Sequence, residues 1–229
     1  MKRILLSGLI ALTLPAHADI VIYGTRVIYP AEKKEIIVQL MNESTKASLV
    51  QSWIDDGDTT LPPEKIDVPF LLTPPVIRVK GNSGQQIKIK KIANNNLPPS
   101  DKESLFYFNV LDIPPNTNNQ DGKNTLKFAM QNRLKLLYRP KSVESVTQNS
   151  IKKLSFSRSN GGLNLNNATA NWITIPKIEA NRNQLNGKTI LLPPLSSQLL
   201  QLRNNGSNQY VVTIIDDRGN YVSDTLRVE

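Results

Sequence analysis

The 229-residue sequence has no cysteine and one histidine. The missing cysteine excludes a thiol nucleophile, a disulfide and a Cys or Cys/His zinc site. The histidine is His17, and it lies in a segment that reads as a leader. Met1-Lys2-Arg3 is positive, Ile4 to Leu14 is apolar apart from Ser7, Gly8 and Thr13, and Ala16-His17-Ala18 supplies small residues where a signal peptidase reads. This pattern predicts a secretory signal peptide over residues 1–18, cut before Asp19. The apolar run is too short for a membrane helix, which needs about 20 such residues. With His17 removed, the mature chain keeps no histidine, and a Ser-His-Asp triad is excluded. Long apolar runs are also absent after the leader, so the expected product is exported and not inserted in a membrane. In an oxidising compartment without disulfides, it must rely on core packing.

Aromatic residues are few, at 6%, but hydrophobic residues reach 39% against 21% charged, which is enough for a packed core. The net charge is +9, and losing Lys2 and Arg3 with the leader lowers it by two, to +7. A basic chain suggests acidic partners. The cations are nevertheless spread through apolar alternation, as in Ile87-Lys88-Ile89-Lys90-Lys91-Ile92, which reads as a solvated strand face and argues against nucleic-acid binding.

No segment keeps a helical period for three turns. Ile36 to Met41, Ala47 to Ile54, Val76 to Val79, Gln85 to Ile92, Ser104 to Leu111 and Thr125 to Tyr138 alternate and are rich in β-branched and aromatic residues. Turn formers separate them: Asp56-Gly57, Gly81-Asn82-Ser83-Gly84, Pro114-Pro115-Asn116 and Asp121-Gly122. A second set follows: Ile151 to Ser157, Gly162 to Leu165, Trp172 to Ile175, Thr189 to Leu192, Gln198 to Leu202, Tyr210 to Ile215 and Tyr221 to Val228. Between the sets, Pro140 ends a strand and the polar stretch to Ser150 is expected to bury little. The sequence thus predicts an all-β protein of two sandwich domains, 19–139 and 146–229, with a linker at 140–145. The second is small enough to lean on the first.

Thr125 to Tyr138 carries large side chains on one face, Leu126, Phe128 and Met130. Lys127, Gln131, Arg133 and Lys135 fall on the other. By periodicity alone this is a half-buried strand or a strand offered to another protein by β-augmentation. Leu97-Pro98-Pro99 followed by Asp101-Lys102-Glu103-Ser104 and the aromatic strand Leu105-Phe106-Tyr107-Phe108-Asn109 resembles the signature of the periplasmic pilus-assembly chaperones, the PapD-like family. Asp112-Ile113-Pro114-Pro115, Lys135-Leu136-Leu137-Tyr138-Arg139-Pro140, Trp53-Ile54 and Leu72-Thr73-Pro74-Pro75-Val76 are similar to that family as well. The motifs are dense in the first domain and sparse in the second.

The resemblance implies two immunoglobulin-like domains in a boomerang arrangement, no cofactor and no enzymatic activity. The implied partners are pilus subunits and an outer-membrane usher, in the periplasm, with self-association of the free protein left open. Such chaperones lend a strand to a subunit that lacks one, and the matching donor positions here are Leu126, Phe128 and Met130. Arg26 and Lys135 match the pair that anchors the subunit's C-terminal carboxylate. Glu103, Arg139 and Asp217 match an interdomain ion network, with Asp216 adjacent as an alternative to Asp217. Thr73-Pro74-Pro75 is a candidate cis-proline turn. The cysteine-free loop Asn116 to Asn124 is similar to that of the short-loop branch. The competing reading is a secreted two-domain module for adhesion or polyanion binding. Glycosidase chemistry is the weakest alternative, because no carboxylate pair sits in recognisable context.

Overall fold

The structure is a computed structural model, and it describes residues 20–92, 98–115, 128–160, 162–201 and 206–228. The first part of the chain forms β1 (Ile20–Ile22), β2 (Arg26–Pro30), β3 (Glu35–Asn42), β4 (Ser48–Asp55), β5 (Phe70–Thr73), β6 (Val76–Val79), β7 (Ser83–Lys91), β8 (Ser104–Ile113) and β9 (Met130–Arg139). They make two sheets, β1-β3-β7-β5 and β2-β9-β8-β4-β6. Alternation explains the layering. Val38 and Leu40 of β3 and Ile87 and Ile89 of β7 point inward, while Lys88 and Lys90 point outward. The inward residues pack with Val50, Phe108, Val110 and Leu136 from the other sheet in one core.

An aromatic cluster closes one end of that core. Phe70 lies 5.4 Å from Tyr29 and 5.0 Å from Phe106, and Tyr29 lies 5.8 Å from Tyr138. The buried Tyr29 hydroxyl is satisfied: it donates to the Lys34 carbonyl at 2.8 Å and accepts from the Lys91 amide at 3.0 Å. Thr73-Pro74 is cis, at the turn between β5 and β6.

The second part forms β10 (Leu154–Ser159), β11 (Gly162–Asn167), β12 (Ile173–Ile175), β13 (Lys177–Ala180), β14 (Asn183–Gln184), β15 (Ile190–Leu192), β16 (Ser196–Leu200), β17 (Gln209–Ile215) and β18 (Tyr221–Arg227). These pair as β10-β11-β16, β12-β15 and β14-β13-β17-β18 around a separate core that includes Phe156, Leu165, Ile175, Tyr210 and Ile214. The architecture is all-β, with two sandwich cores in one chain.

Three expectations change. The long strand predicted from Thr125 begins at Met130: Phe128 and Ala129 are described but lie outside it, and residues 116–127 lie outside the described residues. The strand predicted from Ile151 is preceded by a 3-10 helix, Gln148–Lys153, so β10 starts at Leu154. A capping box explains this, because Thr147 and Ser150 satisfy each other's backbone amides. The stretch after Pro140 is also less open than its polarity suggests, since Val143, Val146 and Ser150 are buried. The Val146 amide and carbonyl both bond Asp217, and the Glu144 carbonyl accepts from Asn171, so this segment is packed against the second core.

Candidate functional site

The two edges of β9 differ along its length. β8 pairs with it antiparallel from Met130 to Tyr138. β2 covers the opposite edge only from Lys135 to Arg139, and it runs parallel. From Met130 to Leu134, therefore, β9 has an open edge among the described residues. Such an edge presents unpaired backbone donors and acceptors to any strand that approaches.

The alternation that buries Leu136 and Tyr138 carries Leu134, Asn132 and Met130 onto the same side. Here the core no longer covers them. Met130 is 52% exposed, and Phe128, just ahead of the strand, is 73% exposed. Of the three expected donor residues, these two are adjacent to the open edge, and Leu126 lies outside the described residues, as does the loop Asn116 to Asn124.

Two cations stand where the open edge ends. Arg26 is the first residue of β2 and pairs directly with Lys135. Both are partly buried. Burial, and then the charge of Arg26, pull the Lys135 ammonium below the ordinary lysine pKa. Burial also lowers that of Arg26, against the opposing pull of Asp217, Asp216 and Glu103. Arg26 donates from Nη1 to the Ile215 carbonyl at 3.3 Å, while its Nε is buried and has no hydrogen-bond partner. Neither cation forms an ion pair among the described residues. The arrangement is chemically incomplete, and a carboxylate would supply the missing acceptor.

The third predicted group is brought together at the junction of the two cores. Arg139 Nε meets Glu103 Oε1 at 2.5 Å, while its Nη1 and Nη2 meet the two oxygens of Asp217 at 2.5 and 2.7 Å. Glu103 Oε2 accepts the Trp172 amide at 2.9 Å, and the Glu103 amide donates to the Ala170 carbonyl. Burial opposes the charge on Arg139, but its bonds and charge contacts with Asp217 and Glu103 outweigh this and hold it above its ordinary value. Asp217, not Asp216, is the partner. Asp216 caps its own turn, accepting from the Arg218 and Asn220 amides.

Sequence reasoning missed a further group. It placed Arg133 on the polar face of its strand but did not connect it with Asp55, 78 positions away, whose carboxylate it grips. The turn signal Asp56-Gly57 beside Asp55 was visible, but nothing local marks the partner. Among the described residues, no three His, Cys, Asp or Glu side chains converge as metal ligands. Among the described residues no helix is long and apolar enough to cross a membrane. The basic face of β7 is partly neutralised, with Lys88 paired to Glu35 at 3.2 Å.

Comparison with known proteins identifies the fold and the family. Residues 19–144 match the family model described as pili and flagellar-assembly chaperone, PapD N-terminal domain, and residues 149–226 match that of the pili assembly chaperone PapD, C-terminal domain. The chain is 57% identical over 226 residues to the probable fimbrial chaperone YehC of Escherichia coli K12, covering 99% of this chain and 94% of that one. The crystal structure of the CupB2 chaperone of Pseudomonas aeruginosa superposes with a TM-score of 0.77 at 27% identity, covering 91% of this chain and all of that one. The SafB chaperone of Salmonella enterica, solved in complex with the SafA pilin, has the same fold, with a TM-score of 0.77 at 22% identity over 93% of this chain and 98% of its own. The two sandwiches are therefore immunoglobulin-like domains, and the chain belongs to the PapD-like family of pilus-assembly chaperones.

Proposed function

We propose that this chaperone binds pilus subunits by lending them the open half of β9 and by holding their C-terminal carboxylate between Arg26 and Lys135. The observation that carries the reading is the juxtaposition, among the described residues, of a free strand edge with two unpaired cations at its end. The cations also select a direction. A strand running parallel to β9 along Met130–Leu134 would lie in line with β2 and end at Arg26, so its carboxylate would meet both cations. An antiparallel strand would bring its amino end there and be repelled.

The energies are adequate. Each charge-assisted hydrogen bond contributes about 1.5–3 kcal/mol. Burying a side chain such as Phe128 or Met130 in a subunit groove adds roughly 1.5–3 kcal/mol. With Leu126 as a third such residue, the gross gain is about 5–9 kcal/mol before association costs. Methionine adapts its shape, which suits a strand that serves several subunits. Glu103, Arg139 and Asp217 then fix the junction of the two domains that flank the anchor. We place this activity in the periplasm, reached by a leader over residues 1–18, with an outer-membrane usher receiving the subunit and no chemical step catalysed by the chaperone.

The test is co-expression in a bacterial periplasm with a pilus subunit from the same bacterium, followed by pull-down. The expected result is a one-to-one complex with the wild type and none with Lys135→Ala. Equal recovery with both would remove the anchor, and no complex with any such subunit would favour the adhesion-module reading.

A further inference from the structure

The outer face of β9, opposite Met130, carries a connected set of polar side chains. Along the open-edged half of the strand, the outward residues are Gln131 and Arg133. Both are tied to neighbouring strands. Arg133 takes both oxygens of Asp55 in β4, Nη2 to Oδ1 at 2.5 Å and Nε to Oδ2 at 3.2 Å. Its guanidinium also lies over the Tyr107 ring of β8, 3.6 Å from the ring centre. Gln131 donates to Asn109 Oδ1 at 2.9 Å, and Asn109 donates to Asp55 Oδ2 at 2.6 Å. The Gly57 amide donates to Asp55 Oδ1 at 2.8 Å, from a left-handed turn with φ of 116° that suits glycine. The Asp55 side chain is only 4% exposed, and Arg133 is its ion-pair partner.

An edge strand that has lost half its ladder bonds is prone to fray and twist. For an acceptor of incoming strands this is harmful, because a slip of one residue turns every side chain to the wrong face. The Arg133–Asp55 fork has one good planar geometry, and opening it would leave a buried carboxylate without its cation.

We propose that Arg133, forked onto Asp55 and stacked on Tyr107, is a positioning residue that holds the open edge of β9 flat and in register for the incoming strand. This rests on the donor-strand reading above. Arg133 acts through the backbone of β9 from the face opposite the donor residues.

The experiment compares wild type, Arg133→Leu, Arg133→Lys, Asp55→Asn and Lys135→Ala. Amide exchange is measured on the free chaperone, and the capture rate on a pilin from the same bacterium diluted out of denaturant. Arg133→Leu is expected to speed exchange across residues 131–134 by about tenfold and slow capture by about tenfold, while exchange at Leu136–Tyr138 and in the second domain stays at wild-type rates. Asp55→Asn should reproduce this. Arg133→Lys, which keeps the charge without the fork, should recover part of the capture rate. Unchanged exchange at 131–134, equal acceleration throughout the first domain, or wild-type capture by Arg133→Leu would each overturn the positioning role. Lys135→Ala separates the two readings. If it captures pilin at the wild-type rate, the anchor falls, and with it the fixed register that this inference rests on; if the wild type itself captures none, the donor-strand reading falls and takes this inference with it. If Lys135→Ala loses capture while Arg133→Leu keeps it, the positioning role alone falls.

Discussion

Arg26 and Lys135 face one another across the parallel pairing of β2 with β9, two like charges side by side with no carboxylate bound to either among the described residues. The arrangement costs the free protein something, and burial adds to the cost. A binding site often carries such a cost, because the ligand relieves it.

The pH dependence of subunit binding follows from the direction of the Lys135 shift. The free site holds Lys135 below 10.5 through burial and the charge of Arg26. A bound carboxylate favours the charged form and raises that pKa, so binding takes up a proton in the alkaline range. Affinity should be constant near neutral pH and fall as pH rises through the depressed pKa, earlier than an ordinary lysine would allow. Titrating subunit affinity from pH 7 to 10 checks this, and the Lys135→Met variant should lose the dependence.

The same substitution should not weaken the chaperone itself. In the free protein the folded-state pKa is lowered, so below that pH the lysine is charged at a cost to folding, and the cost fades as pH rises through it. Lys135→Met removes the buried charge and its repulsion with Arg26 while keeping the length of the side chain. The expected change in unfolding free energy at pH 7 is between zero and a gain of about 1 kcal/mol, read by urea denaturation. Loss of subunit capture alongside unchanged or higher stability would mark Lys135 as a binding group.

Phe128 and Met130 make the converse prediction. Both are largely exposed, so Phe128→Ser and Met130→Ser should change chaperone stability by less than about 0.5 kcal/mol. Each should weaken subunit binding by roughly ten- to a hundredfold, the value of one buried apolar side chain. Calorimetric or competition binding against the wild type measures it.

At the junction, Arg139→Ala should be far more harmful than either acid partner's conservative change. It strands Glu103, whose side chain has no exposed surface, together with Asp217. The expected loss is about 3–5 kcal/mol in denaturant unfolding. Asp217→Asn keeps acceptor and backbone contacts and should cost less. Solution scattering should also show a wider spread of domain orientations for Arg139→Ala.

Much of the fold was legible because period-two alternation is local. Val76–Val79 matched to the residue, and β4, β7 and β8 were found within two. What was missed is short or non-local. β2 has five residues, Arg-Val-Ile-Tyr-Pro, and is a strand only because β9, more than a hundred positions later, offers a parallel partner. β1, β5 and β13, three or four residues long, were not read as separate strands. Of the candidate site, alternation put Phe128, Met130 and Lys135 on one segment, but the roles expected of all three, and of Arg26 and Asp217, were reachable only through resemblance to a family. The grip of Arg133 on Asp55 was not reachable, since each residue by itself looks like a solvated charge.

The open stretch of β9 is five residues, about 17 Å, and it is closed at one end by cations and not by bulk. On the proposed reading, that makes the site a gauge that measures backwards from a chain end. A free carboxylate at the end of a strand occurs once per polypeptide, and only after the last residue has been added. The chaperone would thus be indifferent to much of a subunit's sequence yet strict about where its chain ends, and a polypeptide extended past its natural end, or with its terminal carboxylate blocked, would place no carboxylate between the cations.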